Sequence, residues 1–238
     1  MRRYLAALAF LASATLAQAG FLLNPFAVRV PPSISYVDTT VSTTDTNEYT
    51  FTDHATGTAD GTRRTIVGIV GEDGSNDFSV TGVTVGGVAA TEVVDTAAAG
   101  AAIQSAIYII DNPTGTTATI VVTFSEAITG AAVSVWAANN LASSTAVATN
   151  SGTNSSGAAI TLSLNTQVED IIVGVGGANV SSEAAVWAGL TEDAETAITG
   201  EAEISVAHDT AATAETPRAI TVDWSGTSQY AGASASFR

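Results

Sequence analysis

Past residue 33, apolar and polar positions alternate with a period of two. Residues 81–136 show the pattern best. They read TGVTVGGVAATEVVD, AAIQSAIYIID, NPTGTTATIVVTFS and EAITGAAVSVWAA, four short apolar runs separated by Gly, Asn-Pro and Thr-Gly breaks. Side chains two apart share one face of a strand, so this spacing predicts strands joined by turns. Residues 34–40 and 47–53 are two earlier strand candidates. Residues 65–71 (TIVGIVG) are apolar on both faces, as in a central strand covered on both sides, and Gly68 there admits a close neighbour. Gly86-Gly87 suits a hairpin turn that needs positive φ. Past residue 20, helical periodicity survives only as one turn near residues 97–104. The fold class expected is an all-β antiparallel sandwich.

The pattern occurs twice. Ile120, Val122 and Phe124 share a face, and so do Ile220, Val222 and Trp224, an offset of 100. Ile66-Val67-Gly68-Ile69 matches Ile172-Val173-Gly174-Val175 at 106. Residues 86–92 resemble 188–192, and the run closing at Trp136 resembles the one closing at Phe237. This reads as an internal two-fold duplication, with copies at about 34–141 and 142–238. Residues 141–157 look like a linker, although 145–149 alternate and could pair as 34–40 do. If they pair, the copies supply the two halves of one sandwich, the reading favoured because each copy carries few large side chains. Otherwise two Ig-like modules stand in tandem.

Ahead of the β pattern, residues 1–19 hold Arg2-Arg3, an apolar run and Ala17-Gln18-Ala19. This is the signature of a secretory signal peptide; the alternative is a retained apolar leader. The run is too short for a comfortable membrane span. Residues 20–33, with Phe21, Leu22, Leu23 and Phe26 about Pro25 and ahead of Pro31-Pro32, are expected to form neither helix nor alternating strand. They are expected to anchor on a neighbouring chain or on the main domain.

Charge removes several classes. Twenty-three acids against seven arginines and no lysine give a net charge of −16, which repels nucleic acid and anionic lipid. With no cysteine, disulfides and thiolate metal sites are absent. No cofactor is expected, and no catalytic residue is assigned. His54 and His208, the only histidines, each adjoin an aspartate but no nucleophile elbow, and read as solvated loop residues. The adjacent acids Glu72-Asp73, Glu169-Asp170 and Glu192-Asp193 read as solvated turns. Glu72, Asp73 and Asp77 are a weak calcium candidate without EF-hand spacing. Trp187, which has no aromatic counterpart in the other copy, is a weak candidate for stacking on a glycan, whereas Trp136 and Trp224 read as core.

The string VTVGGVAATEV, SAIYIIDNPTGTTATIVVTFS, AAVSVWAANNL resembles a jelly-roll-like β-sandwich module of bacterial secreted proteins and tailed-phage structural proteins. The resemblance runs from about residue 65 to 237. FLLNPF at 21–26 is similar to the start of many small phage structural proteins. The resemblance implies a non-enzymatic virion protein on the particle surface, as head decoration, spike or tail accessory. Its partners would be other virion proteins or further copies in a closed assembly such as a trimer. The alternative is a secreted bacterial surface or adhesion module that binds carbohydrate.

Overall fold

The computed structural model describes residues 29–74, 77–96, 102–111, 114–180, 183–226 and 228–238. Seventeen strands are present among these residues. In the first half they are β1 (Ser33–Ser42), β2 (Thr46–Ala55), β3 (Arg64–Glu72), β4 (Val80–Val85), β5 (Val88–Ala89), β6 (Thr91–Asp95), β7 (Ile103–Asp111), β8 (Thr117–Ile128) and β9 (Gly130–Asn139). In the second half they are β10 (Ala148–Asn154), β11 (Ile160–Thr166), β12 (Ile171–Ala178), β13 (Val186–Ala188), β14 (Thr191–Ala197), β15 (Glu203–Thr210), β16 (Glu215–Asp223) and β17 (Tyr230–Phe237). All pairings are antiparallel, and Pro31–Arg238 forms one compact unit.

Four sheets result. The first half has an inner sheet, β1-β9-β3-β7-β6, and an outer sheet, β2-β8-β4-β5. The second half repeats that order with an inner sheet, β10-β17-β12-β15-β14, and an outer sheet, β11-β16-β13. Each half thus closes its own sandwich, contrary to the expectation that the copies supply two halves of one. The sandwiches are not strung in tandem either, because the two inner sheets pack on each other. The layers run outer, inner, inner, outer.

Three cores fill the spaces between these layers. Val67, Ile69, Tyr108 and Val133 of the first inner sheet face Tyr49, Ile120, Val122 and Phe124. Ile172 and Ala207 of the second inner sheet face Leu162, Ile220, Val222 and Trp224. Between the inner sheets, Ile66, Val70, Ile107 and Trp136 meet Val173, Val175, Phe237 and the row Ala231, Ala233, Ala235. This explains the doubly apolar string at 65–71, since β3 lies between two cores. The alanine row lets β17 lie close on β7, where the Ser105 hydroxyl donates to the Ala231 carbonyl at 3.1 Å. The outer strand β11 keeps strict alternation: Ile160, Leu162 and Leu164 are buried, while Thr161, Ser163 and Asn165 are exposed.

The pairing also corrects the alignment of the halves. A Cβ on Gly71 would stand 2.8 Å from Phe124, and one on Gly176 would stand 2.8 Å from Trp224. Phe124 and Trp224 are equivalent, so β3 matches β12 at an offset of 105, not 106. The offset of 106 would turn every side chain of β12 to the wrong core. In the closing strands, Trp136 pairs with Ile66 and Phe237 with Ile171, and both rings enter the central core. The strand expected at 145–149 is β10, a few residues later. It pairs with β17 as β1 pairs with β9. Gly86 and Gly87 form the β4–β5 turn with φ of 60° and 80°.

Candidate functional site

A polar cluster lies where one margin of the first inner sheet meets β14 and β15 of the second. Its position follows from a bulge. Glu192 pairs with Ala207 and Ala194 with Val206, leaving Asp193 as the extra residue. The Asp193 carboxylate, 7% exposed, accepts the Trp136 indole N–H on Oδ2 at 2.8 Å. Its Oδ1 lies 2.6 Å from His208 Nδ1. A carboxylate only accepts, so Nδ1 carries the hydrogen. That bond holds the imidazole above its ordinary pKa, with partial burial working against it. Beside them, the Tyr36 hydroxyl donates to Thr39 Oγ1 at 2.9 Å, and Thr39 Oγ1 lies 2.6 Å from Ser134 Oγ. Burial pushes the Tyr36 hydroxyl pKa up.

Both histidines therefore differ from the solvated loop residues expected. His54 lies in β2, 3% exposed, its Nδ1 3.0 Å from the Ala55 carbonyl. His208 lies in β15 and is held by Asp193, fifteen residues away, not by its neighbour Asp209, which pairs with Arg218.

Nor are the acid pairs solvated turns, for one member of each is buried. Glu72 accepts the Gly74 amide and the Thr129 hydroxyl. Asp170, fully buried, accepts the Gln167 amide at 2.8 Å and pairs with Arg238 at 2.7 Å. Asp193 is the third. Buried carboxylates need such partners, and in each case the partner comes from another turn or strand.

Among the described residues, no three His, Cys, Asp or Glu side chains come together to hold a metal. Glu72 is taken up by the protein and Asp77 is exposed, so Glu72, Asp73 and Asp77 do not assemble as the calcium set considered above. Trp187, in β13, is half-buried. Its indole N–H donates to Ser205 Oγ at 2.8 Å, and its ring edge fills the space over Gly174, where a Cβ would stand 2.8 Å away. It packs against the second sandwich core while staying partly exposed. Phe21, Leu22, Leu23 and Phe26 lie outside the described residues.

A cleft of about 410 Å³ opens at one end of the first sandwich, lined by Val85, Val88, Ile110, Asp111 and Thr117. It holds neither histidine. No described helix is long and apolar enough to cross a membrane. Nothing in the residue types around Asp193 signals its role, because the bulge that aims it arises from strand pairing. Comparison with family models, with curated proteins and with solved structures finds no match to this chain.

Proposed function

We propose that this chain is a non-enzymatic structural protein displayed on the surface of a tailed-phage particle, as head decoration, spike or tail accessory. One observation carries the reading: the buried carboxylates Glu72, Asp170 and Asp193 are all engaged in joining turns, strands and sheets. The one imidazole held by a carboxylate belongs to the same framework. Such a scaffold offers a stable body with acidic loops. The charge of −16 keeps that body soluble and away from nucleic acid. Residues 20–33 would bury Phe21, Leu22, Leu23 and Phe26 on other virion proteins or on further copies in a closed assembly such as a trimer.

The test is intact-mass analysis of density-purified particles and of the medium from the native source. The chain is expected in the particle fraction, and a variant truncated before Ile34 should remain soluble but fail to join particles. Recovery from the medium alone, or unchanged incorporation of the truncated chain, overturns the reading.

The signal-like pattern of residues 1–19 favours a second reading, a secreted bacterial surface or adhesion module that binds glycan through the half-exposed Trp187. Its marks would be a mature N-terminus at Gly20 and a glycan-array signal lost in Trp187→Ala.

A further inference from the structure

Each sandwich closes its own outer core, yet the unit that forms contains both. What joins them is the central core, which is apolar across most of its area. At the margin where β1 packs on β14 and β15, it carries a charged network in place of aliphatic side chains. The first sandwich contributes the Trp136 indole N–H, and the second contributes Asp193 and His208. The carboxylate is the bridge, with one oxygen engaged by each half.

We propose that Trp136, Asp193 and His208 form a protonation-dependent clasp between the two sandwiches, tight when the imidazole is a cation and looser when it is neutral. The charged groups around the imidazole decide whether its proton matters. On its own strand, Asp209 flanks it but is paired with Arg218 of β16. On β14, Thr191 stands opposite His208 and brings no charge, and Glu192 is exposed and receives the Ser205 hydroxyl at 3.4 Å. On β12, the paired residue is Val173. From the first sandwich, Trp136 on β9 reaches Asp193, and on β1 stand Tyr36 and Asp38, the latter accepting the Thr39 amide at 2.9 Å. Tyr36 stays protonated, because burial raises its pKa further. Asp193 is thus the counter-ion in hydrogen-bond contact with the ring, and it is nearly enclosed, so solvent screens the pair weakly. A protonated ring gives a charge-assisted bond, and a neutral ring leaves an ordinary one facing a carboxylate whose other hydrogen-bond partner is an indole.

The sign follows from the geometry. The folded chain holds the His208 proton more tightly than the unfolded chain, so the clasp's contribution is complete below the ordinary imidazole pKa of about 6.5. It is lost as pH rises through the higher folded value. Each unit of elevation corresponds to about a tenfold preference of the closed clasp for the cation.

The chain has two histidines and three tryptophans, so histidine and indole N–H resonances of the full chain can be followed individually. His208 Cε1–H is expected to titrate above the ordinary imidazole value, and the Trp136 indole N–H to move with the same midpoint. In Asp193→Asn the His208 midpoint should fall to the ordinary value or below, and the Trp136 resonance should stay flat. In His208→Gln the rise in melting temperature from about pH 8 to about pH 6 should be smaller than in the wild type. A wild-type His208 midpoint at or below the ordinary value overturns the proposal, as does a Trp136 resonance indifferent to that titration. Equal pH dependence of melting in wild type and His208→Gln overturns it too, and the wild-type titration stands even if a variant fails to fold.

Discussion

Gly68 sits on β3 in the middle of the central core, and replacing it tests whether the inner sheets have any slack. A methyl group on its Cα would stand 2.6 Å from Val175 Cγ2 across the interface and 2.9 Å from Trp136 Cζ3. Carbon atoms prefer separations of about 3.5–4.0 Å, so close to an ångström must be found. Trp136 and Val175 are fully buried, and neither can swing into solvent. The sheets cannot part locally either, since Gly177 already brings the second inner sheet against Val70 and Ile103. Overpacking of this kind costs about 1–3 kcal/mol, and with a fully buried valine methyl on one side and an enclosed indole on the other we expect Gly68→Ala near the upper end. At roughly 2–4 °C per kcal/mol for a chain of this size, the melting temperature should fall by about 6–12 °C.

Thermal unfolding followed by circular dichroism reads this directly. Gly82→Ala on β4, where a Cβ would meet nothing within 4 Å, is the control and should lie within about 1 kcal/mol of wild type. Adding Val175→Ala to Gly68→Ala removes the nearest clashing atom. The double variant should therefore be less destabilised than the sum of the singles by about 1 kcal/mol or more. A Gly68→Ala protein that melts within about 1 °C of wild type, or strict additivity with Val175→Ala, would refute the claim that this glycine sets the sheet spacing.

Deleting Arg238 leaves the fully buried Asp170 without its ion-pair partner and should cost about 3 kcal/mol, read as a drop in melting temperature that Asp170→Asn partly restores in the truncated chain. Trp224→Phe places in the second sandwich the ring type that Phe124 supplies in the first. It should cost no more than about 1.5 kcal/mol by denaturant unfolding, because among the described residues the Trp224 indole N–H has no hydrogen-bond partner to lose. With a net charge of −16, raising sodium chloride from about 10 mM to about 300 mM should raise the melting temperature by screening self-repulsion. A fall would mean that attractive surface pairs dominate instead.

Strand faces are legible in the sequence wherever one side of a strand meets a core and the other meets water. Ile120, Val122 and Phe124, and likewise Ile220, Val222 and Trp224, are assigned to their cores by alternation alone. The doubly apolar string at 65–71 says that β3 is covered twice, but alternation carries no information about the partner. The face-to-face packing of two inner sheets therefore stays hidden. Matching residue types between the halves places β12 one residue out of register, because IVGI and IVGV agree best by letter while the glycines that receive Phe124 and Trp224 agree at 105. The clasp is the least legible feature. A histidine next to an aspartate in a polar stretch looks solvated, and the carboxylate that holds His208 arrives from another strand through a bulge that no residue type announces.

The four layers also decide whether the halves are separable modules. Each inner sheet has five strands, spaced about 4.8 Å apart, with about eight residues per strand rising about 3.3 Å each. The face it turns to the other half is therefore on the order of 600 Å². On the first half that face carries Ile66, Val70, Ile103, Ile107 and Trp136, and on the second Val173, Val175, Ile204 and Phe237. A soluble monomer rarely exposes an apolar patch larger than a few hundred Å², whereas burying both faces removes about 1,200 Å², the lower end of a stable interface. Residues 31–141 and 142–238 produced separately should therefore aggregate or pair through their inner sheets. Produced together, they should form a one-to-one complex with the circular dichroism of the intact chain. Size-exclusion chromatography with light scattering separates the outcomes. If the 142–238 fragment ran as a monomer and melted cooperatively, each sandwich would be stable alone, and the central core would be a docking contact between finished domains instead of part of what makes either half fold.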